Sequence, residues 1–186
     1  LAGLDGRPPL PGDEGLALPR SAEGIAVLSL GSLLPAGAAL AFDSVAHDES
    51  HTWRATRERT LLLELLAGVE WGALDVLLLD LPPGAERTLQ AAEMLGPETA
   101  FLLVSLPSDL ARTVVARSAA ALRGRPNPVL GYVENMTGLF PPGTTALDLP
   151  CLGHIPFDPA LAGGGPASCA AAAMGELAQQ VELLLE

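Results

Sequence analysis

The sequence predicts an α/β protein in which a mostly parallel sheet is flanked by helices on both faces. Continuous Val/Leu runs such as 75–81 and 100–106 read as strands that are apolar on both sides. Amphipathic stretches with helix start and stop signals alternate with them. Asp, Asn, Glu and Pro then cluster where the runs end, and open parallel sheets bind ligands at the carboxyl ends of their strands.

Taken in order, residues 1–22 are rich in Gly, Pro and charge and read as loop. Residues 24–30 (GIAVLSL) form a short buried strand closed by Gly31. A Gly/Ala/Pro segment follows, then a helix over 52–67 with Gly68 as its stop. The strand 75–81 ends in Asp80, and Pro82, Pro83 and Gly84 break it at once. A helix over 86–95 stops at Gly96-Pro97, and 100–106 is the next strand. Ser108 caps a helix that runs to Arg123, with Gly124 beyond it. Strands at 128–135 and 151–156 and an Ala/Leu helix at 169–186 complete the pattern. There is no internal repeat and no linker, so 1–186 reads as a single domain.

Length and composition agree. A chain of 186 residues, 49% of them hydrophobic, can bury a sizeable core. The net charge is −12, and all ten basic residues are Arg, with no Lys. Such a surface repels polyanions and anionic lipid, so neither nucleic acid nor a membrane surface is expected as a partner. Two cysteines are too few for a disulfide framework. No stretch reaches the ~18 apolar residues of a membrane span, and no signal peptide is visible. A cytoplasmic protein is the expectation.

Four strand ends carry candidate site residues: Asp80, Pro107-Ser108-Asp109, Glu134-Asn135 and Pro156-Phe157-Asp158. Each alone is equally well a turn or a helix cap. Together with the stretches around them they carry a resemblance. "VEWGALDVLLLDLPPG", "VLGYVENMTG" and "LPCLGHIPFDPAL", preceded by "GRPPLPGDEGLALP" and "GIAVLSLGSLLP", resemble the Mrp/ApbC family of deviant P-loop ATPases, relatives of MinD and ParA, over nearly the whole chain.

The resemblance implies a P-loop NTPase-like fold of the SIMIBI type that binds Mg-ATP. Asp80 would hold a water of the magnesium shell, since Mg²⁺ takes oxygen ligands and keeps several waters. Pro83 and Gly84 would bring backbone N–H groups toward the γ-phosphate. Asn135 would bond the adenine, with Pro156 and Asp158 beside the base. Arg54 matches a basic position to which no role is assigned. The role implied is assembly or transfer of iron–sulfur clusters by a homodimer, with iron–sulfur client or scaffold proteins as partners.

The departures from the family bear on activity. Its Gly-rich, Lys-bearing phosphate loop has no counterpart here, and the strand that should flank the Asp80 strand is lost with it. Either residues upstream of Leu1 belong to the natural protein, which is the favoured expectation, or the sheet is completed in another way. The family continues PPG with Thr-Gly-Asp, whereas this chain has Ala85, Glu86 and Arg87, so ATPase activity is expected to be weak or absent. The Cys-x-x-Cys of many members is missing, so an iron–sulfur cluster is not expected. Cys151, the remaining iron–sulfur candidate, and Cys169 read as small packed residues. The rival readings are a non-catalytic pseudo-ATPase scaffold for dimerisation or partner binding and a MinD/ParA-like positioning ATPase.

His47 and His51 have i, i+4 spacing but read as solvated, and His154 reads as structural. "GGGP" at 163–166 follows the last strand and reads as a hinge or loop, not a phosphate cradle. In the C-terminal helix Leu177, Val181, Leu184 and Leu185 share a face. That helix lacks basic residues, so it is expected to dock on the domain or on a partner subunit.

Overall fold

Ser108, placed ahead of an Ala-rich run, produces the helix that the sequence anticipates. It is extended at φ −123°, and its side chain accepts from the Ala111 N–H at 3.3 Å. The helix it opens belongs to a computed structural model that describes residues 7–33, 51–162 and 169–185, with no side-chain description for 30, 51–58 and 162. His47 and the 163–166 Gly run lie outside the described residues, as do the side chains of His51 and Arg54. The chain forms two compact units, Leu1–Leu78 and Leu79–Glu186.

In the first unit, β1 (Leu10–Pro11) and β2 (Leu16–Ala17) pair antiparallel, and the Gly12 N–H donates to the Gly15 carbonyl at 2.7 Å. This hairpin lies in a segment expected to be loop throughout. Leu16 also bridges to Val69, just past α1 (His51–Gly68). Gly68 belongs to that helix, and the Trp71 indole N–H donates to the Leu66 carbonyl at its end.

The strand expected at 24–30 does not form. Arg20 bridges to Ala26 alone, around a turn at Gly24, and Leu30–Leu33 is a 3₁₀ turn. Among the described residues no second strand lies alongside, and the bonds formed are local ones, from Ser21 N–H to the Ile25 carbonyl and from Val27 N–H to the Pro19 carbonyl.

The second unit is built on three parallel strands in the order β3 (Phe101–Ser105), β4 (Val129–Thr137), β5 (Cys151–Pro156). On one face, Ala91 and Ala92 of α2 (Ala85–Leu95) and Leu122 of α3 (Asp109–Leu122) enclose Phe101. On the other, Ala170 and Leu177 of α5 (Cys169–Leu185) cover Val133 and Ile155. The short helix α4 (Pro159–Ala162) follows β5. Parallel strands with helices on both faces are the predicted α/β class. The Asn127 amide, buried, ties this layering together by donating to the carbonyls of Gly96 and Thr99.

The strand expected at 75–81 is also absent. Residues 75–80 are irregular, and Val76, Leu77 and Leu78 are exposed. Among the described residues, β3 has a ladder partner on one side only, β4. An apolar run with strand propensity stays irregular when no neighbouring strand takes up its hydrogen bonds. Asp80 therefore does not end a strand. The α5 expectation holds for the first half of the helix, where Ala170, Ala173 and Leu177 dock, while Leu184 and Leu185 remain exposed.

At Gly131 the backbone of β4 passes close to the residue before β5. The Gly131 φ is 149°, and a Cβ there would lie 2.5 Å from the Pro150 carbonyl oxygen. Gly131→Ala is expected to cost about 2 kcal/mol or more through strain at this backbone contact. Gly175→Ala, in open space on α5, is expected to add about 0.5–1 kcal/mol. Urea denaturation of both variants checks the pair, and equal midpoints would contradict it.

Candidate functional site

The carboxyl ends of β3, β4 and β5 present Ser105, Thr137 and Pro156, and the candidate residues lie on the segments that follow. Thr137 is paired with Pro156, and its carbonyl accepts from the Phe157 N–H at 2.9 Å, which holds these two ends side by side. Asn135 is partly buried beside them, and its side-chain oxygen accepts from the Met136 N–H at 2.9 Å. That leaves its NH₂ as the group available to a ligand.

Met136 has φ 59°, the only non-Gly residue with positive φ among those described. Its unbranched side chain is 39% exposed. A left-handed conformation costs such a residue roughly 1–2 kcal/mol, and strain of this kind concentrates at functional sites.

Asp158 and Pro156 occupy the β5 side of the same end. One Asp158 oxygen accepts from the Ala160 N–H at 2.9 Å, starting α4, and the other from the Cys169 thiol at 3.6 Å. The helix-cap role therefore holds for Asp158, with further interactions besides.

Asp80 and Pro83 are exposed, and Gly84 has φ 118°, a conformation that glycine alone adopts readily. Gly84 is the N-cap of α2 without a side chain to cap it, and Thr88 bonds back to its carbonyl through both N–H and hydroxyl at 3.1 Å. Ala85, Glu86 and Arg87 form the first turn of that helix.

A single exposed carboxylate suits Mg²⁺, which is commonly bound through one or two carboxylates plus waters and phosphate oxygens. Asp80 is an exposed carboxylate of that donor type. Among the described residues no group of three His, Cys, Asp or Glu side chains is arranged to hold a metal ion.

Two other strand-end residues are engaged in hydrogen bonds within the second unit. Asp109 accepts from the Thr144 and Thr145 N–H groups at 2.8 and 2.6 Å. Its bonds to Thr145, then to Thr144, hold its carboxyl below the ordinary range. Glu134, buried in β4, accepts from Arg112 Nε at 2.7 Å and forms an ion pair with it. Arg112 also donates to the carbonyls of Gly143 and Thr145 at 2.8 and 3.0 Å. The bond to Glu134 raises the already high guanidinium pKa. Arg112 carries no motif, and sequence reasoning passes it over.

The chain matches, over residues 1–179, the family described as ParA: NUBPL iron-transfer P-loop NTPase. It belongs to that family. The chain is 37% identical over 134 residues to an "Iron-sulfur cluster carrier protein" of Mycobacterium bovis, covering 61% of this chain and 35% of that protein. It is 28% identical over 156 residues to the protein of the same name from Saccharolobus solfataricus, covering 75% and 49%. It is also 28% identical over 139 residues to "Cytosolic Fe-S cluster assembly factor Nubp1 homolog" of Drosophila pseudoobscura pseudoobscura, covering 62% and 45%. This chain thus spans half or less of the length of these relatives. Among solved structures, MinD complexed with Mg-ADP from Pyrococcus horikoshii aligns with TM-score 0.47 at 23% identity, covering 69% of this chain and 57% of that one.

Two outcomes follow from the geometry around β4. Arg112→Ala, which leaves the Glu134 carboxylate buried without its cation, is expected to cost about 3 kcal/mol or more in denaturant unfolding. Asp109 has a folded pKa below its unfolded value, so its stabilisation is complete above the ordinary Asp range and is lost as pH falls through the folded value. The melting-temperature deficit of Asp109→Asn should therefore be full near pH 7 and shrink as pH falls below the ordinary Asp range through the folded value. A deficit independent of pH would contradict this.

Proposed function

We propose that this chain supplies the Walker B, switch and base-side residues of a Mg-nucleotide site in an iron–sulfur carrier ATPase. The observation that carries the reading is the family match over residues 1–179. Segments of the motif type found at such sites, Asp80–Gly84, Asn135–Gly138 and Pro156–Asp158, accompany it. Asp80 takes the magnesium-shell position, Pro83 and Gly84 face the terminal phosphate, and the Asn135 NH₂ donates to the base beside Pro156 and Asp158. Relatives named iron–sulfur cluster carrier proteins support a role in cluster assembly or transfer, and the one named a cytosolic assembly factor supports a cytoplasmic setting; in this reading the chain works as a homodimer.

Hydrolysis by this chain is weak or absent in this reading. The sequence has no Lys to neutralise transferring phosphate. Glu86 in the first turn of α2 also places a negative charge where a phosphate would approach. The Glu86 charge favours the second reading, a non-catalytic scaffold on the same fold.

A cluster needs several thiolates, and the two cysteines have different neighbours, His154 for Cys151 and Asp158 for Cys169. This chain alone does not fit a cluster-holding role, and a cluster would be cargo held with other subunits or clients.

The test is ¹⁵N-resolved titration with Mg-ATP at millimolar concentration. Shifts are expected at Gly84, Asn135–Gly138 and Phe157–Asp158, dependent on Mg²⁺ in the wild type and independent of it in Asp80→Asn. Absence of site-specific shifts would overturn nucleotide binding by this chain and leave the scaffold reading.

A further inference from the structure

Cys151 was expected to be packed, yet it is exposed and has chemical neighbours that the nucleotide reading does not use. Its sulfur lies 3.7 Å from His154 Nε2 and 3.6 Å from the Gly153 carbonyl oxygen. His154 is correspondingly more than structural, since its Nδ1 is 3.3 Å from Glu134 Oε2. The tautomer that donates from Nδ1 to this buried carboxylate turns the Nε2 lone pair toward the thiol. Arg112 holds the other oxygen of Glu134, so the orienting carboxylate is fixed from behind.

A β-bulge builds the arrangement. Residues three apart on a regular strand point to opposite faces. Here Cys151 pairs with Tyr132, Gly153 with Val133 and His154 with Glu134, so Leu152 is an extra residue. The bulge returns His154 to the face of Cys151, which is also that of Tyr132 and Glu134. Burial first, and then the bond to Cys151, raise the pKa of the Tyr132 hydroxyl, which keeps it a donor beside the sulfur.

Cysteine nucleophiles are recognised by a base in contact with sulfur and a third group orienting that base. Cys151, His154 and Glu134 meet that description at the amino end of β5. The reacting sulfur is at the start of β5, and Pro156 ends that strand five residues on, roughly 16 Å along it, while Glu134 and His154 lie between.

We propose that Cys151 is a histidine-assisted reactive thiol that exchanges with low-molecular-weight disulfides. The Cys151 S–H proton passes to His154 Nε2 as the sulfur attacks a disulfide R–S–S–R. A Cys151–S–S–R bond forms, the original S–S bond breaks, and the leaving R–S⁻ takes the proton from His154. Cys151 sulfur is oxidised and the departing sulfur is reduced, so the external disulfide is the oxidant. The reaction is independent of nucleotide.

Cys169 is the internal reference, since it too is exposed but its sulfur faces the Asp158 carboxylate, a negative charge and a weak base. The experiment treats the full chain with hydroxyethyl disulfide, an uncharged probe, near pH 7, and follows each cysteine by peptide mass spectrometry. Cys151 is expected to react about tenfold faster than Cys169, a modest share of the ~100-fold or more that positioned bases supply in closed sites. His154→Ala and His154→Gln should bring Cys151 near the Cys169 rate and leave Cys169 unchanged. The His154 side chain is 61% exposed, so both variants should fold, which circular dichroism checks. Equal rates at the two cysteines in the wild type, or a Cys151 rate indifferent to His154, would overturn the proposal.

Discussion

The ion pair between Arg112 and Glu134 is the constraint on which the second unit depends. A carboxylate in the middle strand of a helix-covered sheet is costly to bury without a partner. Arg112 reaches it from α3 and with the same guanidinium holds the carbonyls of Gly143 and Thr145. Asp109, one turn earlier on α3, takes the amides of Thr144 and Thr145. Two residues of one helix thus set both the sheet's central strand and the loop leading to β5. His154 adds β5 through the other Glu134 oxygen.

This arrangement has consequences at both ends of the strands. At the carboxyl ends, β4 and β5 are locked together through Thr137, Pro156 and Phe157, so Asn135 and the left-handed Met136 have a rigid base. At the amino end of β5, the bulge at Leu152 places a thiol, an imidazole and a carboxylate in line. The 75–80 run has no comparable anchor. Its Val76, Leu77 and Leu78 are exposed, and in the second unit β3 is an edge strand among the described residues.

The helices and the three paired strands were legible because their signals are local. Ser108 as cap, Gly96 and Gly124 as stops, and the Val/Leu-rich strand runs at 100–106 and 128–135 each act within a few residues. The runs at 24–30 and 75–81 carry the same signal, but strand formation also needs a partner ladder, which a run of residues does not disclose. The bulge was illegible for a related reason: Cys151 and His154, three apart, belong to opposite faces in any regular strand. Arg112 was missed because its partner is 22 residues away and neither residue forms a motif with the other. The motif segments DLPPG, VENM and IPFDP were legible as a family signature, and that membership holds. Of their residues, Asp158 has the cap role that any Asp after a strand can take.

The central claim is that β4, paired on both sides and held by Arg112, organises the unit, while the apolar run before Pro82 stays outside any ladder. Native-state amide hydrogen exchange tests this directly. The slowest amides should be those of Leu130–Glu134 in β4, with Val76–Asp80 exchanging close to the unprotected rate. Protection of Val76–Asp80 equal to that of β4 would contradict the account, because it would place that run in a sheet.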